Sequence, residues 1–207
     1  MNKITRDTDF AASGGPLQRP TTQAAEGVPR LRWSLAEFER LGELGIFSEH
    51  EHVELIDGEL VPMAAKGNRH ERVRGKLLNF LMRRLPTALE IYSELGWRPG
   101  GDFYCEPEIF ICPPTSEPSL VPPGEVALLI EVAHTSLAYD TGLKMRTYAA
   151  LGVREYWVVN AVTLETGVHR KPGDGGYAEV RDFAPSETIV PHLVPALALA
   201  MADLGIE

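Results

Sequence analysis

Residues 126–160 read VALLIEVAHTSLAYDTGLKMRTYAALGVREYWVVN. Val126–Val132 is a short apolar run rich in β-branched residues, the pattern of a strand buried on both faces. One residue interrupts it, Glu131. A carboxylate in a buried strand has to be paired, protonated or bound to a metal, because an isolated buried charge is too costly. A helix is expected from about Leu137 to Leu151. At 3.6 residues per turn it would place Leu137, Thr141, Lys144, Tyr148 and Leu151 on one stripe facing a sheet. Gly152 then stops the helix, as a residue tolerant of positive φ does. Glu155–Asn160 returns as a second strand. The unit puts an acid on a strand and an ammonium on the following helix, both turned inward. By themselves these two residues fit a structural ion pair, with Lys144 snorkelling to water, as well as they fit a reactive site.

The chain has 207 residues, the size of one domain with appendages. Hydrophobic residues make up 44% and charged residues 24%, the balance of a soluble globular protein rather than a disordered or membrane-spanning one. No apolar run approaches the ~20 residues that a membrane span needs. Met1–Pro20 lacks a hydrophobic signal core, so a cytoplasmic protein without membrane association is expected. Cys105 and Cys112 read as strand residues, since two thiols do not complete a zinc site. The net charge of −9 excludes broad, non-specific attraction to a polyanion. Any contact with nucleic acid would depend on a local basic patch, completed by a second subunit.

Working outward, residues 1–29 have a Thr, Ser, Ala, Gly and Pro-rich composition without periodicity, which predicts a disordered or loosely packed arm. Residues 30–207 read as a single domain. Ser34 and Glu37 form a capping box for a first helix. Val53–Met63 is a hairpin around the Asp57-Gly58 turn, flanked by Glu54 and Glu59. Asn68 is expected to cap a long helix with Glu71 at its third position, and Val73, Leu77 and Leu81 form the inward stripe. His70 shares that stripe in the first turn. The positive helix end should lower its pKa and keep it neutral at pH 7. Leu89–Arg98 and Phe103–Ile111 are expected as paired strands, the second carrying Glu108. Val168–Phe183 reads as a surface hairpin, and Pro191–Leu204 as a short apolar helix.

Two acids on adjacent strands, Glu108 and Glu131, with a lysine nearby, meet the needs of metal-assisted phosphodiester cleavage. Carboxylates bind Mg²⁺ (or Mn²⁺ in its place) while leaving waters in position, and a lysine can orient water and offset charge on phosphate. The stretches VELIDGELV, EPEIFI and 128–160, with the His70 helix and the late hairpin, resemble the Uma family of restriction endonucleases. That family was formerly a domain of unknown function, DUF820, within the PD-(D/E)xK nuclease superfamily. The resemblance runs from about Trp33 to Leu204. It implies an α+β fold with a restriction-endonuclease-like central mixed β-sheet flanked by helices, and an added N-terminal hairpin. It also implies DNA as substrate and Mg²⁺ as cofactor. Glu108 stands where the family usually has Asp and takes the first metal-ligand place, and Glu131 takes the second. The superfamily's usual lysine position is Ala133 here, and the family's displaced lysine is Lys144. Glu54 and His70 match family positions near the site. His134 and Asn160 depart from the family pattern outside the reacting groups. The reading is therefore a Mg²⁺-dependent DNA endonuclease, as a homodimer with two sites for two strands. The alternatives are an inactive nuclease-fold module that binds nucleic acid or protein, and an unrelated assembly protein in which the buried charges are structural.

Overall fold

A computed structural model describes residues 31–47 and 52–206. The expected arm over residues 1–29 lies outside the described residues. Helix α1, Leu35–Glu43, starts at the capping box foreseen for it: Ser34 accepts from the Glu37 amide, and the Glu37 carboxylate accepts from the Ser34 amide. Strands β1, Val53–Ile56, and β2, Glu59–Pro62, form a separate two-stranded hairpin. Asp57 and Gly58 both take positive φ, 49° and 75°, which a two-residue primed turn requires. Gly58 is further constrained by packing, since a Cβ there would meet the Arg32 Cβ at 2.9 Å.

Helix α2, Asn68–Met82, follows. Its N-cap is Gly67, with no side-chain cap, so Asn68 is the first helical residue and not the cap expected for it. The Glu71 carboxylate pairs with Arg74 instead of completing a box. The next two strands are short. β3, Glu90–Tyr92, pairs antiparallel with β4, Ile109–Cys112. The long ladder expected over 89–111 is reduced to these ends and an isolated Trp97–Cys105 bridge. Pro107 explains part of this, because it has no N–H to donate to a ladder.

β5, Leu128–Ala133, and β6, Glu155–Asn160, run parallel, and the crossover between them is helical. It is a turn of α3, Leu137–Tyr139, a π-helical segment, Asp140–Lys144, and α4, Met145–Leu151, which ends at Gly152 with φ 91°. The extra residue of the π turn rotates the buried face. Asp140, Lys144, Thr147 and Tyr148 point inward, while Leu137 and Thr141 of the expected stripe are exposed. β7, Thr166–Gly173, and β8, Gly176–Phe183, complete the late hairpin as an integral edge of the main sheet. The sheet has six strands in the order β3-β4-β5-β6-β7-β8, antiparallel except at β5–β6. The mixed sheet flanked by helices, with its added hairpin, is the architecture that the family resemblance implied. The C-terminal segment carries 3-10 turns at Pro195–Leu197 and Met201–Leu204 instead of the single helix expected.

Alternation along β5 separates two cores. Leu128, Ile130 and Val132 pack with Val73, Leu77 and Leu81 of α2. Leu129 and Ala133 pack with Trp97, Tyr148 and Tyr156 under the crossover. The side-chain period of 2 puts Glu131 on the crossover side, among aromatic rings.

Candidate active site

Two strands bring the principal acids together. Ile109 pairs with Ile130, so Glu108, just before β4, stands opposite Glu131 on β5. The Glu108 amide donates to Glu131 Oε2 at 3.3 Å. Both side chains are buried, at 4% and 3% exposure.

Glu131 belongs to a compact ionic cluster. Lys144 Nζ donates to Glu131 Oε1 at 2.8 Å and lies 3.0 Å from Glu54 Oε1. Lys144 lies at the end of the π turn and faces inward, as the expected stripe had it. Tyr148, one turn later, donates its hydroxyl to the same Glu131 oxygen at 3.1 Å. Glu54, fully buried on β1, also accepts from the Glu106 amide at 2.9 Å and from the Tyr139 hydroxyl at 3.1 Å. The hairpin is thus tied to the main sheet through a shared ammonium.

Glu108 is held by different cations. Its Oε1 lies 3.2 Å from His70 Nε2 and 3.0 Å from Lys66 Nζ. Its Oε2 is 3.5 Å from Arg74 Nε, too far for a good hydrogen bond. Both of these atoms are buried without a hydrogen-bond partner. Lys66 and Arg74 also pair with Glu94, a non-glycine residue at φ 54°.

The charges in this region are out of balance. Burial raises the Glu131 carboxyl; Lys144 opposes this, while Asp140, Glu54 and Glu108 add to it, and the pKa is pushed up to about 8. Burial also disfavours the Lys144 ammonium, but Glu131 and Glu54 outweigh it and hold its pKa well above the ordinary value. The two directions are compatible: the lysine stays charged, and the surplus of acids around it retains a proton. Asp140, buried and bonded to Ser136, is raised chiefly by burial. Burial likewise pushes Glu108 up, but His70 and Lys66 reverse the shift and leave its carboxyl below the usual value.

The pKa of His70 shifts against the lowering expected at a helix N-terminus. Burial lowers its pKa, but Glu108 and Glu71 more than compensate, and the net shift is upward. Its Nε2 faces Glu108, and its Nδ1 faces Glu71 at 3.3 Å. Only imidazolium can donate to both carboxylates. The ion pairs therefore outweigh the helix end, whose effect was the basis of the expected neutral ring.

Glu54, His70, Glu108, Glu131 and Lys144, all proposed from the sequence, lie in one contiguous network. Lys66, Arg74, Tyr139, Asp140 and Tyr148 join them without having been foreseen. Helical spacing could have flagged some of these: Arg74 is one turn from His70, and Asp140 and Tyr148 flank Lys144 by one turn each. Lys66, in the loop before α2, carries no such signal.

Among the described residues, no three His, Cys, Asp or Glu side chains form a group that could hold a metal ion. The available donors are the two opposed carboxylates. That set suits Mg²⁺, which binds through one or two carboxylates and keeps several waters. The unpartnered Glu108 Oε2 is an oxygen such a cation could take.

No curated protein matches this chain. The fold is similar to the crystal structure of "a putative nuclease belonging to DUF820" from Anabaena variabilis, with a TM-score of 0.64 and 17% identity over 83% of this chain and 96% of that one. At that identity the likeness bears on the fold alone. The Uma2 family model, described as "Putative restriction endonuclease", matches residues 35–202, a span that takes in the hairpin, both acids, the π turn and the whole six-stranded sheet. The chain belongs to the Uma2 family.

Proposed function

We propose that the protein is a Mg²⁺-dependent endonuclease that hydrolyses DNA phosphodiester bonds. The observation that carries this reading is the opposition of Glu108, at the start of β4, to Glu131 on the neighbouring β5, with a buried Glu108 oxygen left without a partner. Glu108 and Glu131 are the residues that would hold Mg²⁺. When bound, Mg²⁺ would polarise the phosphate and make hydroxide available near neutral pH. The excess of buried acid over ammonium favours uptake of a divalent cation, since the cation would replace the proton that Glu131 otherwise retains. Lys144 fixes Glu131 through a charge-assisted bond and sets a positive charge where negative charge develops on phosphate. Glu54 and Tyr148 hold that ammonium and carboxylate in register. His70, Lys66 and Arg74 orient Glu108. A homodimer would present two such sites to the two strands of a duplex.

Plasmid nicking in Mg²⁺, in Mn²⁺ and in chelator tests the reading, with Glu131→Gln as control. Cleavage that needs the divalent ion and is absent from E131Q supports it. No cleavage in either metal by folded protein overturns it. A second reading rests on the ion pairs themselves: Lys144 and Lys66 already neutralise much of the acid, an arrangement suited to a nuclease fold that binds nucleic acid or protein without cutting. DNA binding without cleavage is its signature.

A further inference from the structure

Helix α2 carries its charges unevenly. Val73, Leu77 and Leu81 face the core, and His70 and Arg74 reach the Glu108 carboxylate. On the solvent side, Arg72, Lys76, Asn79 and Arg83 follow one another at spacings of four, three and four residues, all exposed. At 3.6 residues per turn this is one straight stripe. Its three cations have no hydrogen-bond or ion-pair partner among the described residues. Of the exposed cations elsewhere, Arg32, Arg40, Lys171 and Arg181 each pair with a carboxylate, while Arg146 and Arg154, like the stripe, have no such pair among the described residues. The one acid of α2, Glu71, is engaged with Arg74 and His70. In a chain of net charge −9, a bare cationic stripe is the local patch that contact with a polyanion would require.

We propose that the outer stripe of α2 is a docking surface for the phosphate backbone of duplex DNA, independent of base sequence. The inference rests on the nuclease reading for its biological sense, but its physical basis is separate. The eleven residue-to-residue steps from Arg72 to the C-cap Arg83 extend about 16 Å, long enough to run past about five phosphates of one strand. The stripe contains cations and an amide but no aromatic side chain. It can therefore track a backbone but offers no platform for unstacked bases, which favours a duplex over a single strand. The helix's first two turns supply His70 and Arg74 to the acidic site, so a backbone held along α2 is led towards that site.

The test compares the triple variant Arg72→Ala/Lys76→Ala/Arg83→Ala with an equally charge-depleted control, Arg154→Ala/Lys171→Ala/Arg181→Ala. Binding of a fluorescent duplex is measured by anisotropy in chelator, across a salt series, with melting temperatures to verify folding. The stripe variant should lose affinity ~10-fold or more, and its log–log salt slope should fall by about 2.7, from ~0.9 per lost contact. The control should stay within about threefold of the parent, because its cations are off the contact surface. Equal losses in the two variants, an unchanged stripe variant, or a parent that does not bind duplex would each overturn the docking surface. Cleavage in Mg²⁺ is scored separately. Stripe-dependent binding without cleavage refutes the nuclease reading and leaves the docking surface standing. Cleavage and binding undiminished in the stripe variant do the reverse.

Discussion

Two buried glutamates occupy neighbouring parallel strands, Glu131 on β5 and Glu155 on β6, and their surroundings differ. Glu155 is 1% exposed and every contact it makes is with a donor. Its Oε1 accepts from Trp157 Nε1 at 2.8 Å and from Arg170 Nε and Nη2 at 3.1 and 2.8 Å. Its Oε2 accepts from the His192 amide at 2.6 Å. One acid meets one guanidinium and two neutral donors, and the charges close. Around Glu131, one lysine serves two glutamates, with Asp140 and Glu108 close enough to add their repulsion. Burial alone therefore does not mark a reactive acid. An acid whose charge the fold leaves unbalanced is the better candidate, since an unbalanced group titrates and can take a cation.

The sharpest break between the two centres should appear in activity. Glu108→Gln and Glu131→Gln, measured by plasmid nicking, should each lower cleavage ~10³-fold or more, in line with the several kcal/mol a positioned metal supplies. Mn²⁺ affinity by calorimetry should fall with them. Glu155→Ala should leave cleavage per folded molecule unchanged and instead destabilise the fold by roughly 3 kcal/mol, as denaturant unfolding would read. It removes the partner of Arg170 and strands the Trp157 N–H. If E155A lost activity per folded molecule, or E131Q kept it, the contrast would collapse.

Lys144 sharpens the comparison from the other side. Lys144→Ala should cut cleavage ~10²-fold, the size of losing one electrostatic stabiliser. Because its ammonium joins two buried carboxylates, the same change should also destabilise the protein at neutral pH. Destabilisation with full cleavage per folded molecule would reduce Lys144 to a structural role.

The last contrast concerns pH. Glu131 is raised from 4.5 to about 8 by burial and neighbouring acids, so between those values the folded protein binds a proton that the unfolded chain does not. Its contribution to stability is complete below about pH 4.5 and is lost as pH rises through about 8. Metal-free protein should therefore lose melting temperature across that window, and Glu131→Gln should flatten the slope. His70, also raised, adds a slope of the same sign that E131Q leaves in place. An E131Q profile as steep as the parent's would refute the assignment. Light scattering addresses the homodimer independently, where a monomer mass at micromolar concentration would exclude it.

What could be read from residues alone followed from short-range rules. The strand–helix–strand unit, the Asp57-Gly58 hairpin, the α1 capping box and the stop at Gly152 each depend on neighbours within a few positions. Glu131 and Lys144 stood out because an apolar strand and a packed helix face tolerate charge poorly. Other features depended on residues far apart in the chain. The π turn interrupted the expected helical stripe: Lys144 and Tyr148 kept to it, Leu137 and Thr141 did not, and Asp140 turned inward. Glu108 gained Lys66 and Arg74 as neighbours, from a loop and from α2, and His70 with Lys66 holds its carboxyl low. The pKa of His70 rose because two carboxylates, one from the distant segment before β4, outweighed its own helix end. Local pattern determines which side chains must be buried. Only the tertiary structure decides which charges meet there, because electrostatic energy in a low-dielectric interior depends on every group within several ångströms, whatever its place in the sequence.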